Sequence, residues 1–205
     1  MATVILNTCT WPACEMIYDF YIDTFILLLE QLIDIWRSHV ANPAWHHHPL
    51  ITEIPTRISH SISNKGWIPL LYFIAIKCRV HRIRLQAIKL LAKTPHKEGV
   101  WNGELMLVVV QEIMRIEEGN YYQDLETDDS FNIFSLPTEQ NVSLPPLPES
   151  HRLYNVQLGL PEHSMGLLSL KYEQIRENGH GAEAKTRCYD LQTQNWVDKI
   201  GGAIT

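Results

Sequence analysis

The chain has 205 residues, of which 45% are hydrophobic and 20% are charged, and its formal net charge is -6. This length holds one ordinary domain, or one domain with a small annex, and the apolar share is sufficient for a buried core. The acidic balance argues against a general nucleic-acid binder or a binder of anionic membranes, because both usually carry an excess of basic residues.

Cysteine content and apolar runs indicate the compartment. The cysteines are too few and too scattered for a disulfide framework; they are Cys9, Cys14, Cys78 and Cys188. The N-terminal residues lack the basic leading region and long apolar run of a secretory signal. The longest apolar stretch, Trp67 to Ile76, has about half the length needed to span a bilayer. We therefore expect a protein of a reducing compartment, the nucleus or the cytosol, with no membrane partner.

The first predicted element is a long helix. Apolar residues recur at helical spacing from about residue 12 to residue 41, with charged residues between them. Residues 42–66 then break this pattern with three prolines and the triple histidine His46–His48. We interpret residues 42–66 as a loop.

Three shorter helices follow. The first is almost wholly apolar and is expected to be central, the second has one apolar and one basic face, and the third begins after Asn102, a good cap. Their predicted ranges are 67–79, 81–93 and 103–118.

Beyond residue 118 the helical period stops. Residues 119–150 are rich in Asn, Asp, Ser and Pro, and we interpret them as an acidic connector with little regular structure. Residues 154–160 and 168–173 alternate between apolar and polar side chains, which predicts a β-hairpin. An isolated hairpin is marginal in water, so it needs the helices or a third strand, for which residues 186–192 are the candidate.

The predicted fold class is therefore mainly α. A helical domain of about four main helices spans residues 1–118, and the connector spans residues 119–150. The β-hairpin annex and a tail make up residues 151–205.

Charge is segregated along the predicted helices. Eight basic residues and no Asp or Glu lie between Lys65 and Lys97, whereas nine carboxylates and a single basic residue, Arg115, lie between Glu98 and Asp129. Helices joined by a short turn lie antiparallel, so the basic helix would face the acidic one.

This segregation has two interpretations. The first is a set of exposed ion pairs within the molecule, each contributing about 0–1 kcal/mol. Such pairs would link a basic residue (Arg79, Arg82 or Arg84) to an acidic one (Glu98, Glu117 or Glu118). The second is a basic surface that docks phosphate or an acidic partner. Of the two, we favour the internal charge match.

A turn between two of these helices contains Glu98, Gly99 and Trp101. Glycine permits a left-handed bend, and the indole is expected to cover the exposed helix ends. If Trp101 is buried, its truncation to alanine costs about 3–5 kcal/mol. We expect Trp101→Ala to unfold or aggregate the protein.

The histidine and cysteine residues give no clear metal site. Adjacent histidines on an extended segment point in different directions, which disfavours a zinc site made of His46–His48 with Cys9 and Cys14. We therefore predict no metal.

The sequence also lacks the motifs of an enzyme. Cys78 lies between Lys77 and Arg79, which could lower its pKa, but a lone cysteine in an apolar helix usually packs in the core. The adjacent carboxylates Glu117 and Glu118 do not face each other on a helix, and no phosphate loop or nucleophile elbow occurs. We predict no catalytic residue, no cofactor and no enzyme activity.

A series of short motifs lies between Ile68 and Gly119. In chain order they are Pro69-Leu70-Leu71, Lys77-Cys78-Arg79, Ile83-Arg84, Ala87-Ile88-Lys89-Leu90-Leu91, Pro95, Glu98-Gly99, Trp101 and Ile116-Glu117-Glu118. In this order they closely resemble the C-terminal regulatory region of fungal zinc-cluster transcription factors. The resemblance is tight over about fifty residues and loose over the rest of the chain. We single out as structural or interaction positions Cys78, Arg79, Arg82, Arg84, Glu98, Gly99, Trp101, Glu117 and Glu118.

The resemblance implies a nuclear regulatory domain that contacts the transcription machinery or zinc-cluster factors. The family's DNA-binding module holds two zincs with repeated, closely spaced cysteine pairs, whereas Cys9 and Cys14 lie five apart and the next cysteine is Cys78. We therefore expect no direct DNA binding, and a truncated or degenerate member of the family. The alternatives are a stand-alone scaffold or competitor of full-length factors, and a small-ligand-binding protein or enzyme with a pocket between helices.

Overall fold

The computed structural model describes residues 15–40, 66–94, 97–99, 101–125, 127, 129–161, 166–176, 181–200 and 203–204. The described residues divide into a helical unit within Met16–Leu147 and a sheet unit within Pro148–Thr205. The predicted loop up to residue 65, with its triple histidine, and the two N-terminal cysteines lie outside the described residues.

The helical unit begins with a 3-10 helix, Glu15–Tyr21, that leads into helix α1, Ile22–Val40. The apolar residues that recur at helical spacing are the ones that α1 buries, as the amphipathic pattern predicted. They are Phe25, Leu28, Leu29, Leu32 and Ile33.

Three further helices form the centre of this unit. They are α2 (Trp67–Lys77), α3 (His81–Leu91) and α4 (Gly103–Glu118). Helix α2 has no charged side chain before Lys77, and its burial fits the central place predicted for it. The side chains buried on the three helices include Leu71, Ile74, Ile83, Ala87, Leu91, Met106, Val109, Val110 and Ile113.

A short antiparallel pair, β1 (Lys97–Glu98) and β2 (Trp101–Asn102), precedes α4. Gly99 adopts φ 61° between the two strands, a left-handed conformation that glycine tolerates best. The Asn102 side chain then accepts from the backbone N–H groups of Glu104 at 3.0 Å and Leu105 at 3.3 Å. These bonds satisfy two of the free donors at the start of α4.

The stretch predicted as a connector belongs to the helical unit up to Leu147. It contains one short helix, α5 (Glu139–Val142), with a capping box between Thr138 and Asn141, and is otherwise built of turns and extended chain. Its acidic, proline-containing composition thus gives little regular structure, yet several of its residues contact the helices, as described below.

The sheet unit is a single antiparallel sheet in the order β3-β4-β5-β6-β7. The strands are Leu153–Gly159, Leu167–Ile175, Ala182–Asp190, Asn195–Ile200 and Ala203–Ile204. Strands β3 and β4 form the predicted hairpin, and β4 pairs with β5 along its whole length. The alternating apolar residues of β4 that are buried are Leu168, Leu170 and Tyr172.

The mainly α prediction is wrong, because 47% of the described residues are helical and 23% lie in strands. The fold is mixed, and the sheet is larger than a hairpin annex. The candidate third strand, residues 186–192, covers the second half of β5, whereas its first four residues, 182–185, were missed because they are exposed and carry no alternating apolar pattern. Among the described helices, none has the length and apolar character needed to cross a membrane.

Candidate functional site

A cluster of charged side chains lies where α2, α3 and α4 meet. Only three residues, 78–80, separate α2 from α3, so Arg79 is placed at the junction and Arg84 one turn further along. The last two residues of α4, Glu117 and Glu118, reach the same place. The two arginines lie more than thirty residues before the two glutamates, and the packing of α4 against the α2–α3 junction brings them together.

Glu117 lies at the centre of this cluster. One carboxylate oxygen accepts from Arg79 Nη2 at 2.9 Å, and the other accepts from Arg84 Nη2. The side chains of these three residues are 0–1% exposed. Arg84 also donates from Nε to the carbonyl oxygen of Ala75 at 2.8 Å, which ties α3 to the last turn of α2.

The ion pairs were expected on the surface, and their burial is a correction. Removing a charge from water is costly, and it is compensated here because the carboxylate is shared by two guanidinium groups. Arg79, Arg82 and Arg84 are all buried, so they do not form the basic docking surface of the second interpretation. We name the buried set of Arg79, Arg84, Glu117 and Glu118 the ion network.

Glu118 links the ion network to a histidine. Its Oε1 lies 3.5 Å from Arg84 Nη1, and its Oε2 lies 2.8 Å from His81 Nδ1. The other ring nitrogen of His81 lies 3.0 Å from Oδ1 of Asp129. Burial lowers the pKa of His81, but hydrogen bonds and negative charge from Glu118 and Asp129 outweigh that effect, and the pKa lies above 6.5.

Tyr122 covers the same site from the turn after α4. Its hydroxyl lies 3.3 Å from the carbonyl oxygen of Arg79 and 3.2 Å from that of Pro145. Its ring centroid lies 4.9 Å from that of His81. The aromatic ring therefore shields the histidine and helps to hold the end of α4 against the α2–α3 junction.

Residues 129–135, which we name the strap, lie along the polar face of α3. Arg82 donates to the carbonyl oxygen of Ser135 at 3.2 Å, and its guanidinium lies 3.1 Å from the centroid of the Phe131 ring. Gln86 donates to the carbonyl oxygens of Ile133 at 2.7 Å and Ser135 at 2.8 Å. Arg82 thus binds the strap, and it also donates to the side-chain oxygen of Gln86 at 2.8 Å. These contacts take the place of the ion pair with a glutamate that we predicted.

Lys89 completes the contacts between α3 and the strap. Its Nζ donates to the carbonyl oxygen of Asp129 and lies 4.2 Å from the centroid of the Phe131 ring. A cation over an aromatic face is attracted by the ring electrons. The basic residues on the outer face of α3 are therefore occupied by the chain's own carbonyl oxygens and by one phenyl ring.

Glu98 has a different role from the ion pairing that we predicted. Its two carboxylate oxygens accept from the backbone N–H groups of Trp67 at 3.2 Å and Ile68 at 3.0 Å. Gly66, which precedes α2, has no side chain to cap the helix. The buried carboxylate supplies the missing acceptors and places a negative charge at the positive end of the helix dipole.

Trp101 and Cys78 have packing roles. Trp101 is half-buried, and its ring lies 5.4 Å from that of Tyr72, so it anchors the turn without being part of the deep core. Cys78 is buried at the end of α2. Burial raises the pKa of its thiol to about 12, although Arg84 and Arg79 act in the opposite direction.

An open cleft of about 630 Å³ lies beside His81 and Arg82. Most of its wall comes from the segment that follows α4, and its lining is mixed polar and apolar. The remaining lining residues are Thr127, Thr138, Gln140, Asn141, Ser143 and Leu144. Such a cleft has the volume for a small polar molecule.

Within the described residues, no group of three or more His, Cys, Asp and Glu side chains could hold a metal ion. The candidate zinc ligands His46–His48, Cys9 and Cys14 lie outside those residues, so their geometry is not described.

Sequence reasoning missed His81, Gln86 and Asp129. His81 was expected only as the start of a helix, and Asp129 lies 48 residues away in a segment without periodicity. The available signal was a basic helix surface followed later by an acidic segment, which indicates complementary charge but specifies no pair of residues.

In comparisons with known proteins, no family model, no curated protein and no solved structure matches the chain.

Proposed function

We propose that the chain is a regulatory interaction protein of the fungal zinc-cluster transcription-factor type that acts through protein contacts and has no zinc-cluster DNA reader of its own. One observation carries the proposal: motif residues from separate parts of the block between residues 68 and 119 meet in one place. Arg79 and Arg84 come from two motifs, and Glu117 and Glu118 from a third. Glu98 of a fourth motif caps α2.

This arrangement supports the proposal because it gives the resemblance a physical basis. The matched polar residues orient three helices through buried charges, and the loss of any one partner is strongly destabilising. A chance likeness between apolar helices would place matched polar residues at unrelated positions. The nuclear location and the contact with transcription machinery or zinc-cluster factors follow from the resemblance and are part of the proposal.

A tethering experiment tests this function. The full chain is fused to an unrelated DNA-binding module in a fungal cell, and transcription from a reporter with the matching site is measured. We expect reporter output to change relative to the module alone, and purified chain alone to show no sequence-specific DNA binding. Unchanged reporter output, together with failure to co-purify any transcription component or zinc-cluster factor, would reject the proposal.

The same experiment separates a regulator from a competitor. A stand-alone competitor, expressed untethered, lowers the activity of the full-length factor with which it co-purifies. An exposed carboxylate variant, Asp34→Asn, is the control, because Asp34 and the arginine that it pairs with, Arg37, are both exposed. This variant should behave as the unaltered chain does, both when fused to the DNA-binding module and when expressed untethered.

The cleft beside His81 favours a second candidate, a small-ligand-binding protein. A ligand that binds only the folded state raises the thermal midpoint by mass action. Screening a metabolite set by thermal unfolding tests this candidate, and Asn141→Leu, on the cleft wall, should abolish any shift found. The absence of any shift would leave the interaction role as the function.

A further inference from the structure

We propose that His81 is a proton-operated latch: its charged ring holds the N-terminal end of the strap, residues 129–135, against α3, and its neutral ring releases it. The proposal concerns how the helical unit responds to pH and does not depend on the function proposed above.

The geometry around His81 requires a charged ring. Its Nδ1 lies 2.8 Å from a carboxylate oxygen of Glu118, and its Nε2 lies 3.0 Å from a carboxylate oxygen of Asp129. An ionised carboxylate can only accept a hydrogen bond, and a neutral imidazole has only one N–H to donate. Both contacts exist together only when the ring carries both protons.

The charged groups around His81 favour this state. Glu118 comes from α4 and Asp129 from the strap, and both carry negative charge beside the ring. The guanidinium of Arg84, from α3 itself, lies 3.5 Å from Glu118, and its positive charge disfavours a charged His81 ring. The Tyr122 ring, which packs on His81, adds no charge. Arg82 lines the same cleft but is engaged with Gln86 and the strap.

When the ring loses a proton, the contact with Asp129 is the one that breaks. The Glu118 side chain is 10% exposed and also faces Arg84. If His81 stopped donating to it, a buried carboxylate oxygen would lose its hydrogen bond, which is costly. The Asp129 side chain is 56% exposed and can exchange the histidine for water. Deprotonation therefore occurs at Nε2 and leaves Lys89, which donates to the Asp129 carbonyl oxygen, to hold this end of the strap, so that the end opens more often.

The direction of the pH effect follows from the pKa of His81, which is higher in the folded protein than its ordinary value of 6.5. The contact with Asp129 is complete below that ordinary value, and it is lost as the pH rises through the higher folded pKa. The strap is thus closed in mildly acidic conditions and open at its N-terminal end in alkaline ones. Opening also changes the wall of the cleft that His81 lines.

Hydrogen exchange across pH tests the latch. Protection factors, which correct for the pH dependence of intrinsic exchange, are measured for strap amides of the full chain from about pH 5.5 to about pH 9. In the same samples, NMR follows both ring nitrogens of His81. We expect protection to fall as the ring titrates, by about tenfold for each unit by which the His81 pKa with the strap closed exceeds its pKa with the strap open.

Asp129→Asn is the decisive variant, because its side chain is exposed enough for the protein to fold normally. An asparagine amide can donate to the neutral Nε2, so the fall in protection should disappear while His81 still titrates, at a lower pKa. Asp34→Asn is the matched control and should keep the wild-type fall. The proposal is overturned if wild-type strap protection does not change as His81 titrates, or if Asp129→Asn keeps the fall.

Discussion

At the scale of single residues, Glu117 has the most demanding environment in the helical unit. It is fully buried and is shared by two arginines, Arg79 in the α2–α3 junction and Arg84 one turn further along. A group in this position stabilises one arrangement of three helices, because no other arrangement brings both guanidinium groups to the same carboxylate. Its loss would leave two buried cations without their shared anion.

We therefore expect Glu117→Gln to destabilise the protein by about 3–5 kcal/mol, the usual cost of removing one partner from a buried ion pair. Denaturant unfolding followed by circular dichroism measures the change. Asp34→Asn removes a carboxylate of the same chemistry from an exposed pair and should cost no more than about 1 kcal/mol. Similar losses of stability in the two variants would contradict the claim that burial makes the Glu117 carboxylate costly to remove.

A second residue-scale prediction concerns Cys78. Because burial raises the pKa of its thiol to about 12, almost no thiolate exists at neutral pH and the reagent has no access. Iodoacetamide should leave Cys78 unmodified in the native protein and alkylate it fully after denaturation, as read by peptide mass spectrometry. Rapid alkylation in the native state would show that the α2 end opens.

At the scale of elements, α2 depends on a cap from outside its own sequence. Glu98 binds the first N–H groups of α2 although it lies about thirty residues downstream. Sequence analysis singled out Glu98 but assigned it to an arginine, because charge alone cannot distinguish an ion pair from a helix cap. The apolar period of α2 was predicted correctly, whereas its N-terminal partner was not.

We expect Glu98→Gln to cost about 1–2 kcal/mol, since the amide keeps one acceptor but loses the charge at the helix terminus. Thermal and denaturant unfolding measure this loss. Glu104→Gln is the matched comparison, because Glu104 lies in the first turn of α4 but is exposed. It should cost less than about 1 kcal/mol, and an equal or larger cost would argue against the cap.

Trp67, the first residue of α2, and Trp101, in β2, give another element-scale prediction. Trp67 is 1% exposed and packs 5.5 Å from the ring of Trp36, whereas Trp101 is only half-buried. We expect Trp67→Ala to cost about 3–5 kcal/mol and Trp101→Ala distinctly less, so the unfolding first expected of Trp101→Ala is now assigned to Trp67. The opposite order of the two denaturation midpoints would contradict this assignment.

At the scale of the whole molecule, local patterns predicted the elements better than the fold class. Helix α4 has its predicted bounds because Asn102 caps it and Gly119 follows it. The β3–β4 hairpin was also visible, since one face of β4 is buried. Only the second half of β5 was predicted, within residues 186–192, because the exposed residues of its first half impose no period and pairing with β4 decides their conformation.

The candidate site was predicted in part for a similar reason. Complementary charges on neighbouring helices predicted that Arg79, Arg82 or Arg84 pairs with Glu98, Glu117 or Glu118. Arg79 and Arg84 do pair with these glutamates of α4, whereas Arg82 binds the strap and Glu98 caps α2. The sequence did not indicate that these charges are buried, which depends on how closely three helices pack. Predicting the contact of His81 with Asp129 would have required the path of the segment that contains Asp129, and that segment has no periodicity from which to predict it.

Burial also determines how the molecule should respond to salt. Ions in solution screen exposed pairs but reach buried ones poorly, and the ion network is buried. Raising NaCl from about 0.1 M to about 1 M should therefore change the thermal midpoint of the helical signal by less than about 3 °C. A fall of more than about 10 °C would show that exposed charge pairs dominate stability.

The sharing of one carboxylate by Arg79 and Arg84 also limits how this chain can diverge. A neutral residue at position 84 leaves Glu117 with half of its positive neighbours, and a neutral residue at position 117 strands both arginines. Viable descendants must therefore alter positions 79, 84 and 117 in concert, because an apolar pair at 84 and 117 would still bury Arg79 without the Glu117 carboxylate. Deep mutational libraries should recover apolar residues at all three positions together far more often than at position 117 alone.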